Sequence, residues 1–244
     1  MKRILRTISY NGTNYHGWQR QPNGITVQET LERGLFKVLG VDTCVHGCSR
    51  TDAGVHAKMF CCHLDCADNI PNEAFLKGLN SVLPNDVAVL DCTTVGNDFH
   101  ARFDTKGKTY VYNIYNSSTK DPFLMPFVWQ IERPLYCERM NEFCKRIVGT
   151  HDFYGFSSSG RTVQDTIRTV TECSVSKDGE KIKLKITADG FLYNMVRIII
   201  GTAVDVSSGR LKPDCADEVF KTKCREKAGI TAPPQGLFLE KVYY

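Results

Sequence analysis

The order in which apolar periods of two and of 3.6 follow one another over the first 100 residues restricts the fold more than any other feature of this chain. Ile4, Arg6, Ile8 and Tyr10 alternate with Leu5, Thr7 and Ser9, so residues 3–10 read as a strand. Residues 11–24 are polar, glycine-rich and aromatic, and read as a loop or bent hairpin. Thr26 with Glu29 makes a capping box. Val27, Leu31, Leu35, Val38 and Leu39 then recur at helical spacing, so 26–39 is an amphipathic helix, ended by Gly40. Strands are predicted at 43–47 and 57–65. A helix from Pro71 to Leu83 follows, with Phe75, Leu79, Val82 and Leu83 on one face and Pro84 as its stop. Residues 86–95 give the next strand. Strand, helix, strand, strand, helix, strand is the split βαβ, or ferredoxin-like, order.

The remainder repeats that order in enlarged form, with no repeat at the level of sequence. Residues 106–115 are rich in β formers, with Tyr110 and Tyr112 on one face and Val111 and Asn113 on the other. A loop with Pro122, Pro126 and Pro134 spans 116–134. A helix at 137–148 turns Met140, Phe143, Cys144 and Ile147 inward, with Gly149 as its cap. The tract Phe156-Ser157-Ser158-Ser159-Gly160-Arg161 is flexible by composition. Strands at 164–176 and 181–188 meet at Asp178-Gly179, a hairpin signal. An apolar helix at 191–206, a helix near 213–225 and a strand near 236–243 complete the chain. The fold class is α+β, and the halves divide as 1–104 and 105–244.

With 244 residues the chain suits one large domain or two small ones. Lys and Arg number 31 against 27 Asp and Glu, a net +4 that permits a nucleic-acid partner without demanding one. The longest apolar run, Gly190–Val206, is interrupted by Asn194, Arg197 and Asp205, so no membrane span is predicted. Residues 1–6 carry charge but no apolar core or cleavage site of a leader. The 11 cysteines are odd in number and irregularly spaced, which points to reduced thiols in a cytoplasmic protein. Cys44, Cys48, Cys61, Cys62, His63 and Cys66 lie close together and raise the question of zinc. They contain no CxxC pair, and strand alternation sets Cys62 opposite Cys61 and His63. Buried thiols acting as small apolar groups are expected instead.

Chemistry concentrates in Ser49-Arg50-Thr51-Asp52-Ala53-Gly54-Val55-His56-Ala57. Here a cation, a hydroxyl, a carboxylate and an imidazole share one loop between two strands. Spacing alone also suits a solvated turn. A second charged residue, Arg197, stands in the apolar helix. A guanidinium keeps its proton, so one drawn toward the interior needs acceptors. Asp52, Asp189, Asp205 and several other acids are candidates.

The loop resembles the catalytic motif of the TruA family of tRNA pseudouridine synthases. The segments Tyr10–Gln21, Asp98–Phe103, Lys108–Tyr112, Phe191–Arg197 and Gly236–Leu239 resemble further stretches of that family, in the family's order and over nearly the whole chain. The resemblance implies two ferredoxin-like halves with their sheets joined into one and helices on one side. It implies isomerisation of uridine to pseudouridine at positions 38, 39 and 40 of the tRNA anticodon stem-loop, by a homodimer, with no cofactor or metal.

In this reading Asp52 is the catalytic carboxylate and Arg197 its partner. Tyr110 is the active-site tyrosine, Leu237 packs on the base, and Arg50 displaces it. His56 beside Asp52 is a candidate to fill the vacated space or hold phosphate. Arg20, Lys58, Arg102, Lys106, Lys108, Arg161 and Arg168 are candidate phosphate contacts. His100 has no separate step. The reaction breaks N1–C1′, turns the uracil, rejoins it through C5 and releases the C5 proton. A carboxylate can serve by attack at C1′, by attack on the base, or by removing a ribose proton through a glycal. Ser49 stands where the family often has glycine, and Phe238 where tyrosine is common.

Overall fold

The computed structural model describes residues 1–67, 70–160 and 163–244. The chain forms two compact units, one of residues 1–106 with 238–244, the other of 107–237.

In the first unit, β1 (Lys2–Tyr10) is followed by α1 (Val27–Leu39), β2 (His46–Gly47), β3 (His56–Cys66), α2 (Asn72–Val82) and β4 (Val87–Val95). β1 lies between β3 and β4, antiparallel to both. That is the strand order the split βαβ pattern predicts. Thr26 caps α1, its Oγ1 accepting the Glu29 N–H at 3.3 Å, and Gly40 closes the helix in the left-handed region at φ +70°. The other half of the expected box is replaced: the Glu29 carboxylate pairs with Arg33 at 2.8 Å. Leu31 and Leu35 of α1 and Phe75 and Leu79 of α2 are fully buried. The strand predicted at 43–47 shortens to the two residues of β2, which pair with Cys62 and His63 of β3.

Alternation along β1 buries Ile4, Arg6, Ile8 and Tyr10. Arg6 faces Cys62 and Cys92 across the sheet, and its guanidinium lies 4.4 Å from the Phe75 ring centroid. Its Nε, Nη1 and Nη2 find no hydrogen-bond partner among the described residues.

The second unit contains β5 (Gly107–Tyr115), β6 (Trp129–Gln130), α3 (Cys137–Ile147), β7 (Gly149–Asp152), β8 (Ile167–Asp178), β9 (Lys181–Ala188), α4 (Met195–Ser207) and α5 (Cys215–Thr222). β5, β9, β8 and β7 are neighbours in that order, all antiparallel, and β6 adds to β5 in parallel. Met140, Phe143, Cys144 and Ile147 of α3 are buried, as the helical period requires. Several boundaries differ from the sequence reading, β8 starting at Ile167 rather than 164 among them. Gly149 is not a helix cap but opens β7, at φ +122°. α4 starts at Met195 rather than 191, because Asn194 takes φ +58° and sets a break before the first turn. α5 stops at Thr222 because Lys223 turns left-handed at φ +56°. The last strand, β10 (Leu237–Tyr243), runs parallel to the start of β3, with Phe238 opposite His56 and Leu239 opposite Ala57.

Candidate active site

The loop that carries Asp52 joins β2 to β3, and backbone contacts fix it on both sides. The Thr51 carbonyl accepts the Trp18 N–H at 3.1 Å, and the Gly54 N–H donates to the Tyr15 carbonyl at 3.2 Å. The Asp52 carbonyl accepts the Val55 N–H at 3.2 Å, closing a tight turn that Gly54 completes at φ +76°. Thr51 is buried and its hydroxyl shares a 2.8 Å hydrogen bond with that of Tyr10. The arm is itself anchored, since Trp18 is 2% exposed and stacks on Phe60 at 4.0 Å. Gly17 makes this approach possible: it lies at φ +83°, and a Cβ there would stand 2.5 Å from the Thr51 carbonyl oxygen. Asp52, between these clamps, is half-buried.

His56 leaves the loop at the first position of β3. It is buried, its Nδ1 accepts the Gly12 N–H at 3.0 Å, and its ring stacks on Phe238 at 4.6 Å. Nδ1 therefore carries no proton. These contacts anchor the exit of the loop. Arg50, at the entrance, is exposed, and its side chain meets no acceptor among the described residues.

In the second unit, Tyr110 sits on the buried face of β5 with 6% of its surface exposed, edge-on to Phe191 with centroids 5.1 Å apart. Lys108, two residues earlier on the same face, is buried too, and so is not a surface cation. Tyr112, the next on that face, is fully buried and donates to the Pro233 carbonyl at 2.8 Å. Burial pushes its phenol up from the ordinary value, with the charge of Arg197 pulling the other way. Gly236 lies where a Cβ would come within 2.6 Å of Tyr112 Cζ, and the buried Leu237 follows it.

Arg197 is the third residue of α4 and is half-buried. Two of its acceptors are the Ala232 carbonyl, 2.7 Å from Nε, and Asn194 Oδ1, 2.9 Å from Nη1. The Ala232 N–H returns a bond to the Arg197 carbonyl at 3.0 Å. The segment around Ile230 packs on α4 closely enough that a Cβ on Gly201 would meet the Ile230 carbonyl oxygen at 1.7 Å. Two acids weighed as partners for Arg197 are engaged elsewhere. Asp189 accepts the Thr169 N–H through both oxygens at 3.1 Å, and the buried Asp205 pairs with Arg210 at 3.0 Å.

The candidate phosphate contacts differ in exposure and pairing. Arg20 is exposed and reaches Glu32 at 3.4 Å; Lys58 pairs with Glu240 at 3.0 Å. Arg102 is exposed beside Phe103, and Lys106 is exposed. Arg168 is largely covered, donating to the Ile167 carbonyl and standing 3.8 Å from Asp165. Arg161 lies outside the described residues. Among the described residues no cluster of His, Cys, Asp and Glu is placed to hold a metal ion, and no helix is long and apolar enough to cross a membrane. The sequence reading missed the groups that hold the site residues: Tyr10, Gly17, Asn194, Ala232 and Phe191. Of these only Ala232 had no signal, since Tyr10 and Gly17 stand in the Tyr10–Gln21 segment and Phe191 and Asn194 in Phe191–Arg197.

Compared with known proteins, residues 7–104 and 143–244 match the family model described as tRNA pseudouridine synthase. The chain belongs to the tRNA pseudouridine synthase family. It is 46% identical over 244 residues to tRNA pseudouridine synthase A of Clostridium acetobutylicum, covering all of both chains. Identity is 44% over the same length both to tRNA pseudouridine synthase A 2 of Clostridium perfringens and to tRNA pseudouridine synthase A of Thermoanaerobacter sp. strain X514, again with complete coverage. The chain is thus an isomerase of the TruA type acting on tRNA.

Proposed function

We propose that this synthase converts uridine to pseudouridine at positions 38, 39 and 40 of the tRNA anticodon stem-loop, with the Asp52 carboxylate acting on the glycosidic bond. One observation carries the reading. Full-length similarity to synthases of this type coincides with an unbroken set of motif residues, Asp52, Tyr110 and Arg197. Asp52 lies on a loop whose backbone is held on both sides of it, and a carboxylate so fixed is pre-organised for attack or charge stabilisation. By its resemblance to the family's motif, Asp52 is read as the carboxylate partner of Arg197. Tyr110 stacks on the target uracil and its hydroxyl assists departure of the C5 proton. Leu237 packs on the base. A uridine in a stem is stacked and must be extracted, and exposed Arg50 is the residue assigned to stabilise the extruded state. His56 positions the loop from beneath. Arg20 and Arg102 meet backbone phosphate, and the enzyme works as a homodimer.

The test is incubation with unmodified tRNA transcripts carrying uridine at 38, 39 or 40, followed by mapping of pseudouridine by site. Pseudouridine confined to those positions is expected. Modification confined to other sites would overturn the assignment.

A further inference from the structure

The turn at Phe99–Thr105 holds an exposed aromatic side chain on a backbone fixed by many hydrogen bonds. His100 N–H donates to Asp104 Oδ2 at 2.7 Å, and His100 Nδ1 accepts the N–H groups of Arg102 and Phe103 at 3.1 and 3.4 Å. Ala101 is fully buried, its N–H bound to His63 Nδ1 at 3.1 Å and its carbonyl to the Tyr244 hydroxyl at 2.8 Å. Arg3 holds the Phe99 carbonyl at 2.8 Å, and Thr105 holds that of Arg102 at 3.0 Å. On this rigid turn Phe103 is 73% exposed. Its ring rests on His100, with centroids 4.2 Å apart and planes at 32°, and the Arg102 guanidinium stands 5.8 Å from its centroid.

Phe103 leaves an apolar ring face in water on an ordered turn, where a planar partner would cover it. The ring is backed by an imidazole and flanked by a cation. The complement of that arrangement is a planar, electron-rich group next to a negative charge, which is a nucleobase with its phosphate. An apolar protein surface would match the ring but not the guanidinium.

We propose that Phe103 is a base-stacking residue of the tRNA-binding surface, with Arg102 supplying the adjacent phosphate contact. The proposal rests on the tRNA-modifying reading above and adds to it a residue that positions substrate.

The experiment measures tRNA affinity of the full chain and of Phe103→Tyr, Phe103→Leu, Phe103→Ala and Arg102→Ala, at several salt concentrations, with oligomeric state followed by light scattering. Phe103→Ala and Phe103→Leu should each bind tRNA about 10-fold more weakly, while Phe103→Tyr stays within about 2-fold. The slope of log affinity against log salt should be unchanged in the Phe103 variants and smaller by about one in Arg102→Ala. The side chain is exposed, so thermal midpoints should not move. If Phe103→Leu binds as the parent does, or Phe103→Ala loses nothing, the stacking role is wrong. A loss that tracks dissociation of the oligomer would assign Phe103 to a protein interface and likewise overturn it. Failure of the broader reading is separate, since the unmutated enzyme would then form no pseudouridine.

Discussion

Tyr110 keeps only 6% of its surface exposed and has an aromatic neighbour in Phe191, so its ring is held whether or not the hydroxyl is present. Tyr110→Phe separates the two roles proposed for it. Turnover should fall by about 10²-fold or more while tRNA affinity holds, as measured in single-turnover and equilibrium binding assays. An unchanged rate would leave Tyr110 with stacking alone. A second residue governs pH dependence. His63 is 2% exposed, stacked on His46 and edge-on to His100. Burial, with the like charge of those imidazoles, holds it down at about 4 from an ordinary 6.5. Between those values the unfolded chain binds a proton that the folded chain does not. This contribution to stability is complete above pH 6.5 and is lost as pH falls toward 4. His100, shifted in the same direction, adds to it. Urea unfolding between pH 7.5 and 4.5 should show the decline, and His63→Gln should flatten it. A wild-type profile flat over that range would contradict the assignment.

Two elements put the packing to the test. The arm at 12–18 and the Asp52 loop meet backbone to backbone, and Gly17 sits at the contact. Gly17→Ala forces both a left-handed alanine and a clash with the Thr51 carbonyl. It should cost about 1–3 kcal/mol of stability and lower turnover more than tRNA affinity. Gly40→Ala is the control: it shares the left-handed backbone, at φ +70°, but meets nothing within 4 Å, so turnover should survive. Equal activity of the two variants would mean that the clamp does not position Asp52. In β1, Arg6 buries a guanidinium whose nitrogens lack hydrogen bonds among the described residues. A desolvated cation–π contact is worth about 2 kcal/mol, less than the several kcal/mol that an unpaired buried charge costs. Arg6→Met should therefore be neutral or stabilising by about 1–4 kcal/mol in denaturant unfolding. A clear loss of stability would refute this ordering of terms.

Legibility in the sequence followed the length and locality of the signal. The cap at Thr26 and the inward face of α3 could be read because each depends on neighbours within one or two helical turns. β6 and β7 could not, and β2 was read too long, because two to four residues carry no period and those strands exist by pairing with partners. α4 starts late because Asn194 adopts a left-handed backbone there, and its side chain serves Arg197, a contact no apolar period reports. Asp52 and Tyr110 take their roles only from their motifs, while Arg197 also stands out as a charge in an apolar helix. The groups that hold them, such as Tyr10 on Thr51 across 41 positions, are joined by the fold rather than by spacing.

At the scale of the whole molecule, the chain returns after 237 residues to add its last strand beside β3 of the first unit. Nothing local in Leu237–Tyr243 specifies that destination, whereas the longer elements leading to it were readable from period. The proposal takes Asp52, Tyr110, Arg197 and Leu237 from the motifs of the family. Its central claim is that the Asp52 carboxylate drives the exchange of N1 for C5 on the ribose. The measurement is single-turnover release of tritium from tRNA labelled at uridine C5, comparing the enzyme with Asp52→Asn, which is isosteric and uncharged. The account predicts that release falls by at least about 10³-fold while tRNA affinity stays within about 3-fold, because the phosphate contacts lie elsewhere. Release from Asp52→Asn at a rate near that of the enzyme itself would contradict it.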